Sequence, residues 1–165
     1  MSNLQDVVKV GIADLNFVKA PNIIRTSGLG SCVGVVVYDL ARKTAGLAHI
    51  MLPDSKQAKQ AHLNKYKYAD TAIDIMIERL SKNGARRNAL QAKMAGGAEM
   101  FQFTSASDIM RIGPRNIEAV RSHLQKHRIP LIAEDVGGCS GRTIEFNPAS
   151  GALRIRTVNK GETTI

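Results

Sequence analysis

The chain of 165 residues is long enough for one domain with a buried core and too short for two comfortable ones; 44% apolar and 22% charged residues exclude a disordered chain. Lys and Arg number 23 against 14 Asp and Glu, a formal charge of +9 that favours an acidic partner surface. The basic residues are spread from Lys9 to Lys160, and the densest groups, Arg86-Arg87 and Lys126-His127-Arg128, have no base-stacking aromatics among them, which argues against a nucleic-acid partner.

Met1 to Asp6 lacks a basic start followed by an apolar run, so a secretory signal is not expected. Alternation of Val8, Val10 and Ile12 predicts a half-buried first strand, and Ile23 to Thr26 a second short one after Pro21. Cys32 to Tyr38 is β-branched and apolar throughout and reads as a strand covered on both faces. Even its apolar core, Val33 to Tyr38, is far short of a membrane span, so no membrane insertion is expected. Gly46 to Leu52 is similar, and Asp39 to Ala45 would join the two as an antiparallel hairpin.

Ala69, Ala72, Ile73, Met76, Ile77 and Leu80 recur at helical spacing and predict a helix between Tyr66 and Asn83, capped by Gly84. Leu90-Ala92-Met94 alternates as a strand ending at Gly96-Gly97. A second helix is predicted to start at Gly113-Pro114, with Pro at the first helical position, and to bury Ile117, Val120 and Leu124 before Pro130. Leu131 to Ala133 reads as an interior strand, and Thr143–Phe146 with Leu153–Arg156 as a terminal hairpin turned by Asn147 to Gly151. The expected fold is therefore α+β: one domain over residues 1–165, an α/β sandwich of mixed or antiparallel sheet layers flanked by two or three helices.

Candidate chemistry gathers at Gly28-Leu29-Gly30-Ser31-Cys32-Val33-Gly34, with Thr26 before it and His49 after it in Gly46-Leu47-Ala48-His49. The glycines do not make a dinucleotide loop, because Val33 stands where that fingerprint needs its third Gly and a strand follows instead of a helix. They fit a tight bend around a reactive side chain. A thiol there has room for a substrate carbonyl, backbone N–H groups near Ser31 to Val33 are candidate oxyanion donors, and an imidazole would take the thiol's proton. Taken singly, Cys32 reads as a small buried hydrophobe and His49 as a hydrogen-bonded core histidine.

Strand parity allows Cys32 and His49 a common face, since an odd index sum keeps opposed residues on one side. A turn centred at Arg42-Lys43 would oppose His49 to Val36, however, leaving Cys32 four residues away, roughly 13 Å at about 3.4 Å per residue. A bend or bulge at the glycines would then have to close the gap. Cys32, His49, His62 and Cys139 form no ligand pattern, so neither a metal nor another cofactor is expected. Two cysteines are too few for a disulfide scaffold, which points to a cytoplasmic protein with reduced thiols. Phe101 and Phe103, after a double glycine, would anchor a partner if exposed and fill the core if not.

Thr26, the segment around Cys32 and the segment around His49 closely resemble the chemoreceptor glutamine deamidases of the CheD family. Gly96-Gly97-Ala98-Glu99-Met100-Phe101, Ile112-Gly113-Pro114-Arg115-Asn116 and Asp135-Val136-Gly137-Gly138 followed by Arg142 resemble it too, over nearly the whole chain. The resemblance implies hydrolysis of glutamine side-chain amides of bacterial chemoreceptors to glutamate, a Cys-His-Thr catalytic set at Cys32, His49 and Thr26, and the CheC phosphatase as a partner. Thr26 would orient His49, and replacing it with Val is expected to slow turnover at little cost in stability. Glutamate methyl esters would be open to the same acyl chemistry. The alternative is a non-catalytic adaptor that regulates CheC or receptors by binding.

Overall fold

Residues 4–56, 63–100 and 111–165 are described by the structure, a computed structural model. Five strands make one sheet, in the order β1 (Val7–Val10), β3 (Ile23–Leu29), β8 (Arg142–Asn147), β9 (Ala152–Thr157) and β10 (Gly161–Thr164). Five make the other, in the order β2 (Leu15–Lys19), β5 (Thr44–Ile50), β4 (Val33–Asp39), β6 (Gln91–Gly96) and β7 (Leu131–Val136). Each sheet is mixed: β1 runs parallel to β3 and β6 parallel to β7, and the other pairings are antiparallel. The helices α1 (Ala69–Lys82) and α2 (Ile112–Lys126) cover the second sheet, so the expected α+β sandwich is the fold observed.

Strand parity sorts the core into two layers. In β4, Val33, Val35 and Val37 join Ile73, Met76, Leu80, Val120 and Leu124 under the helices, whereas Val36 and Tyr38 join Ile24, Ile144, Phe146 and Leu153 between the sheets. Every residue of β4 and β5 is buried for this reason, while β8 alternates buried and half-buried with one face to solvent. The period-two rule thus puts the central strands at the middle of a three-layer stack. Along α1 the six apolar residues expected from helical spacing are the six that are buried.

Several expectations shift. Val7–Val10 ends before Ile12, which is exposed. Pro114 stands at the third helical position, still in the first turn, where its missing N–H has no intrahelical partner to lose. Leu131–Val136 is an edge strand, not an interior one, and Ile132 is half exposed. The short β2 and the fully exposed β10 carry too little alternating apolar pattern to stand out in sequence. No helix among the described residues is long and apolar enough to cross a membrane.

Candidate active site

Cys32 lies at the mouth of β4, one residue before the strand begins, half-buried against the inter-sheet core. Three consecutive carbonyls fix its loop: Gly30 accepts from Ala98 N (2.8 Å), Ser31 from Asn116 Nδ2 (3.0 Å) and Cys32 from Gly97 N (2.8 Å). The loop is therefore held by the end of β6 and by α2, not by its own glycines alone.

His49 comes from β5. The β4–β5 ladder pairs Gly34 with His49 and Asp39 with Thr44, a register two residues tighter than a turn centred at Arg42-Lys43 gives. Cys32 is therefore two positions from the residue opposite His49, on the same face, at a diagonal spacing of about 7–8 Å between Cα atoms in a regular ladder. The register itself removes half of the expected gap. Gly34, directly across from His49, has no space for a side chain, since a Cβ there would lie 2.6 Å from Ile144 Cδ1 of the facing sheet.

Thr26 reaches the histidine from that facing sheet. Its Oγ1 lies 2.7 Å from His49 Nδ1 and 2.7 Å from the Val10 carbonyl, whose strand pairs with β3 at this point. A threonine hydroxyl has one proton, and a carbonyl can only accept, so that proton goes to Val10. Thr26 Oγ1 must then accept from His49, which fixes the neutral imidazole as the Nδ1–H tautomer and leaves the lone pair on Nε2. Nε2 is buried and has no hydrogen-bond partner among the described residues.

Burial sets the protonation state of both reactive groups. It lowers the His49 pKa to about 4, so the ring is neutral at pH 7, and it pushes the Cys32 thiol up. The resting pair is thiol and neutral imidazole, a proton donor and a base on one face without a hydrogen bond between them. Such bonds often tighten only when substrate is bound. Both cysteines are free, and among the described residues no group of three His, Cys, Asp or Glu side chains is placed to hold a metal.

Thr26 and His49 are thus hydrogen-bonded between the sheets with Cys32 on the same face, but other candidates do not join them. The Val33 side chain belongs to the layer under the helices, and its backbone N–H is turned to β5, where Val33 pairs with Ile50. Cys139 is exposed in the loop between β7 and β8 and lines a separate cleft with Arg142 and Lys160. His62, Phe101 and Phe103 lie outside the described residues. The Val10 carbonyl and Asn116 join the site only through the tertiary structure. The signal for Asn116 was a polar residue on the apolar stripe of Ile117, Val120 and Leu124, where it is fully buried.

A family model described as CheD chemotactic sensory transduction matches residues 51–157. Chemoreceptor glutamine deamidase CheD of Halalkalibacterium halodurans is 60% identical over 162 residues, which cover 98% of this chain and 100% of that protein. The chain belongs to the CheD family. The CheD of Bacillus velezensis is 60% identical, and that of Bacillus subtilis 58%, each alignment covering 96% of both chains. Among solved structures, the Bacillus licheniformis hypothetical protein YfiH is similar in fold, with a TM-score of 0.50 at 15% identity, covering 76% of this chain and 51% of that one. The span matched by the CheD family model begins after Thr26, Cys32 and His49, so their grouping stands on the geometry above.

Proposed function

We propose that this chain is a protein-glutamine deamidase of bacterial chemotaxis, acting in the cytoplasm on chemoreceptor side chains through a Cys32 thioester. The single observation that carries the reading is the proton chain Val10–Thr26–His49, which leaves an unprotonated Nε2 on the face shared with Cys32. His49 Nε2 takes the thiol proton as the sulfur attacks the glutamine carbonyl. The C–N bond breaks, His49 returns the proton to the leaving amide nitrogen, and ammonia departs. Water, deprotonated by the same nitrogen, then hydrolyses the thioester to glutamate and restores the thiol.

A trans peptide points its N–H opposite to its carbonyl. With the Gly30, Ser31 and Cys32 carbonyls turned to Ala98, Asn116 and Gly97, the N–H groups of Ser31 and Cys32 face away from those partners and supply the candidate oxyanion donors, whereas the Val33 N–H faces β5 and is spent in the ladder with Ile50. Glutamate methyl esters present the same carbonyl, and the CheC phosphatase remains the partner that the family resemblance implies.

Incubating purified chemoreceptor with wild-type and Cys32→Ala protein tests the reading directly. Mass spectrometry should show a gain of about 1 Da at selected glutamines with the wild type alone, the exchange of NH₂ for OH that acyl transfer to water requires. An equal gain with Cys32→Ala would remove the nucleophile assignment, and no gain with either protein would favour an adaptor.

A further inference from the structure

We infer that Asn116 is a positioning residue that holds the cysteine and histidine strands at their working separation, an inference that rests on the deamidase reading above. The β4–β5 ladder runs only to Val33 and Ile50. Past that point β5 peels away, and the N–H groups of Met51 and Leu52 both turn to the Lys67 carbonyl, at 2.9 and 3.1 Å. The hairpin opens just where the site must admit a substrate, so ladder bonds cannot set the spacing there.

Asn116 takes over that task. Its Nδ2 donates to the Ser31 carbonyl at 3.0 Å and to the Met51 carbonyl at 2.9 Å. Ser31 immediately precedes Cys32, and Met51 follows His49 by two residues. Two carbonyl oxygens facing one gap repel each other, and a carboxamide NH₂ is a neutral side-chain group with two protons to place between them. The amide orientation follows from the same count, since Oδ1 in that position would add a third acceptor. Oδ1 is instead buried with no partner among the described residues, at an unfavourable desolvation cost tolerated beside a two-donor bridge.

The helix carrying Asn116 is itself seated tightly. A Cβ on Gly113 would lie 2.5 Å from the Ala98 carbonyl oxygen and 2.6 Å from that of Gly97, so the first turn of α2 rests on the backbone that also binds the Gly30 and Cys32 carbonyls. Asn116 thereby couples α2, the nucleophile loop and the end of β5 into one rigid unit. Without it the Ser31–Cys32 peptide loses the partner that fixes its rotation, and the thiol spends less time within reach of Nε2.

Asn116→Leu removes both donors at similar size. In a folded variant, kcat for ammonia release from receptor should fall between about tenfold and a hundredfold, the scale expected of a small misplacement of reacting groups, with KM within about twofold of wild type. Alkylation of Cys32 by iodoacetamide, followed in a Cys139→Ser background, should slow in parallel, because it reads the thiol–imidazole pair without receptor. Unchanged kcat and unchanged alkylation in folded Asn116→Leu would overturn the inference. Wild-type protein that releases no ammonia would sink the deamidase reading instead, and the alkylation rates would still decide the role of Asn116. Should Asn116→Leu fail to fold, Asn116→Asp serves. Its neutral acid keeps one donor and its carboxylate none, so its alkylation rate relative to wild type should rise as pH falls, and a flat ratio would overturn the inference.

Discussion

His49 is neutral because it is buried, and only a neutral imidazole has a lone pair with which to accept a proton. An unfolded histidine titrates near 6.5, whereas the folded one titrates at about 4. The folded value is the lower, so protons favour the unfolded chain: this contribution to stability is complete above about pH 6.5 and is lost as pH falls towards 4. Its size is on the order of 3 kcal/mol. Thermal or urea melts between pH 7 and 4 should show a shallower acid loss for His49→Gln than for wild type. Thr26→Val should lower kcat with little change in KM, but the earlier expectation of an innocuous stability cost does not survive the structure. The hydroxyl serves both His49 Nδ1–H and the Val10 carbonyl. Its loss strands the buried His49 Nδ1–H, while the Val10 carbonyl keeps its place in the β1–β3 ladder, and should cost about 2 kcal/mol in a urea melt.

At the scale of elements, the hairpin β4–β5 decides whether the thiol and imidazole can meet. Parity, which follows from alternation alone, was legible and correct. Register was not, because it depends on a four-residue loop in which Lys43 adopts a left-handed backbone (φ 52) and the ladder closes at Asp39 and Thr44. Asp39 also anchors that end of the hairpin. It is fully buried, and although burial raises its carboxyl pKa, hydrogen bonds from the Arg86 side chain and backbone and from Arg42 N bring it down to about 2. Its contribution is complete above the unfolded value near 3.9 and is lost as pH falls through about 2. Asp39→Asn should lower unfolding free energy at pH 7 by about 2 kcal/mol, since it weakens charge-assisted bonds at a buried site. Equal urea midpoints for variant and wild type would show that the anchor is dispensable. Helix α1, by contrast, needed no tertiary information, because its six core residues follow from a 3.6-residue period.

Taken as a whole, the molecule places the candidate site between two sheets, with Thr26 on one and Cys32 and His49 on the other. Neither sheet contains the site by itself. The outward face of the first sheet carries Arg25, Arg154 and Arg156 around Glu145 and Glu162, joined by surface ion pairs of 2.8 to 4.0 Å. Such exposed pairs add little stability, and the +9 charge as a whole favours encounter with an acidic surface. If the positive charge steers encounter, association with chemoreceptor should slow as salt rises and the screening length falls from about 30 Å at 0.01 M to about 8 Å at 0.15 M. Stopped-flow association rates that do not change over this range would rule out electrostatic steering.

The sequence by itself determined both helices and most of the strands, the face each central strand residue shares, and the trio worth testing. Hydrophobic period and residue chemistry are local properties, and they suffice for that much. Only the tertiary structure decided that the hairpin register brings Cys32 within two positions of His49's partner, that Val10 claims the Thr26 proton and so fixes the imidazole tautomer, and that Asn116 spans the opening strands. Each of these depends on a hydrogen bond or ladder contact set by packing between separate segments. Residue spacing along the chain carries no direct record of such contacts.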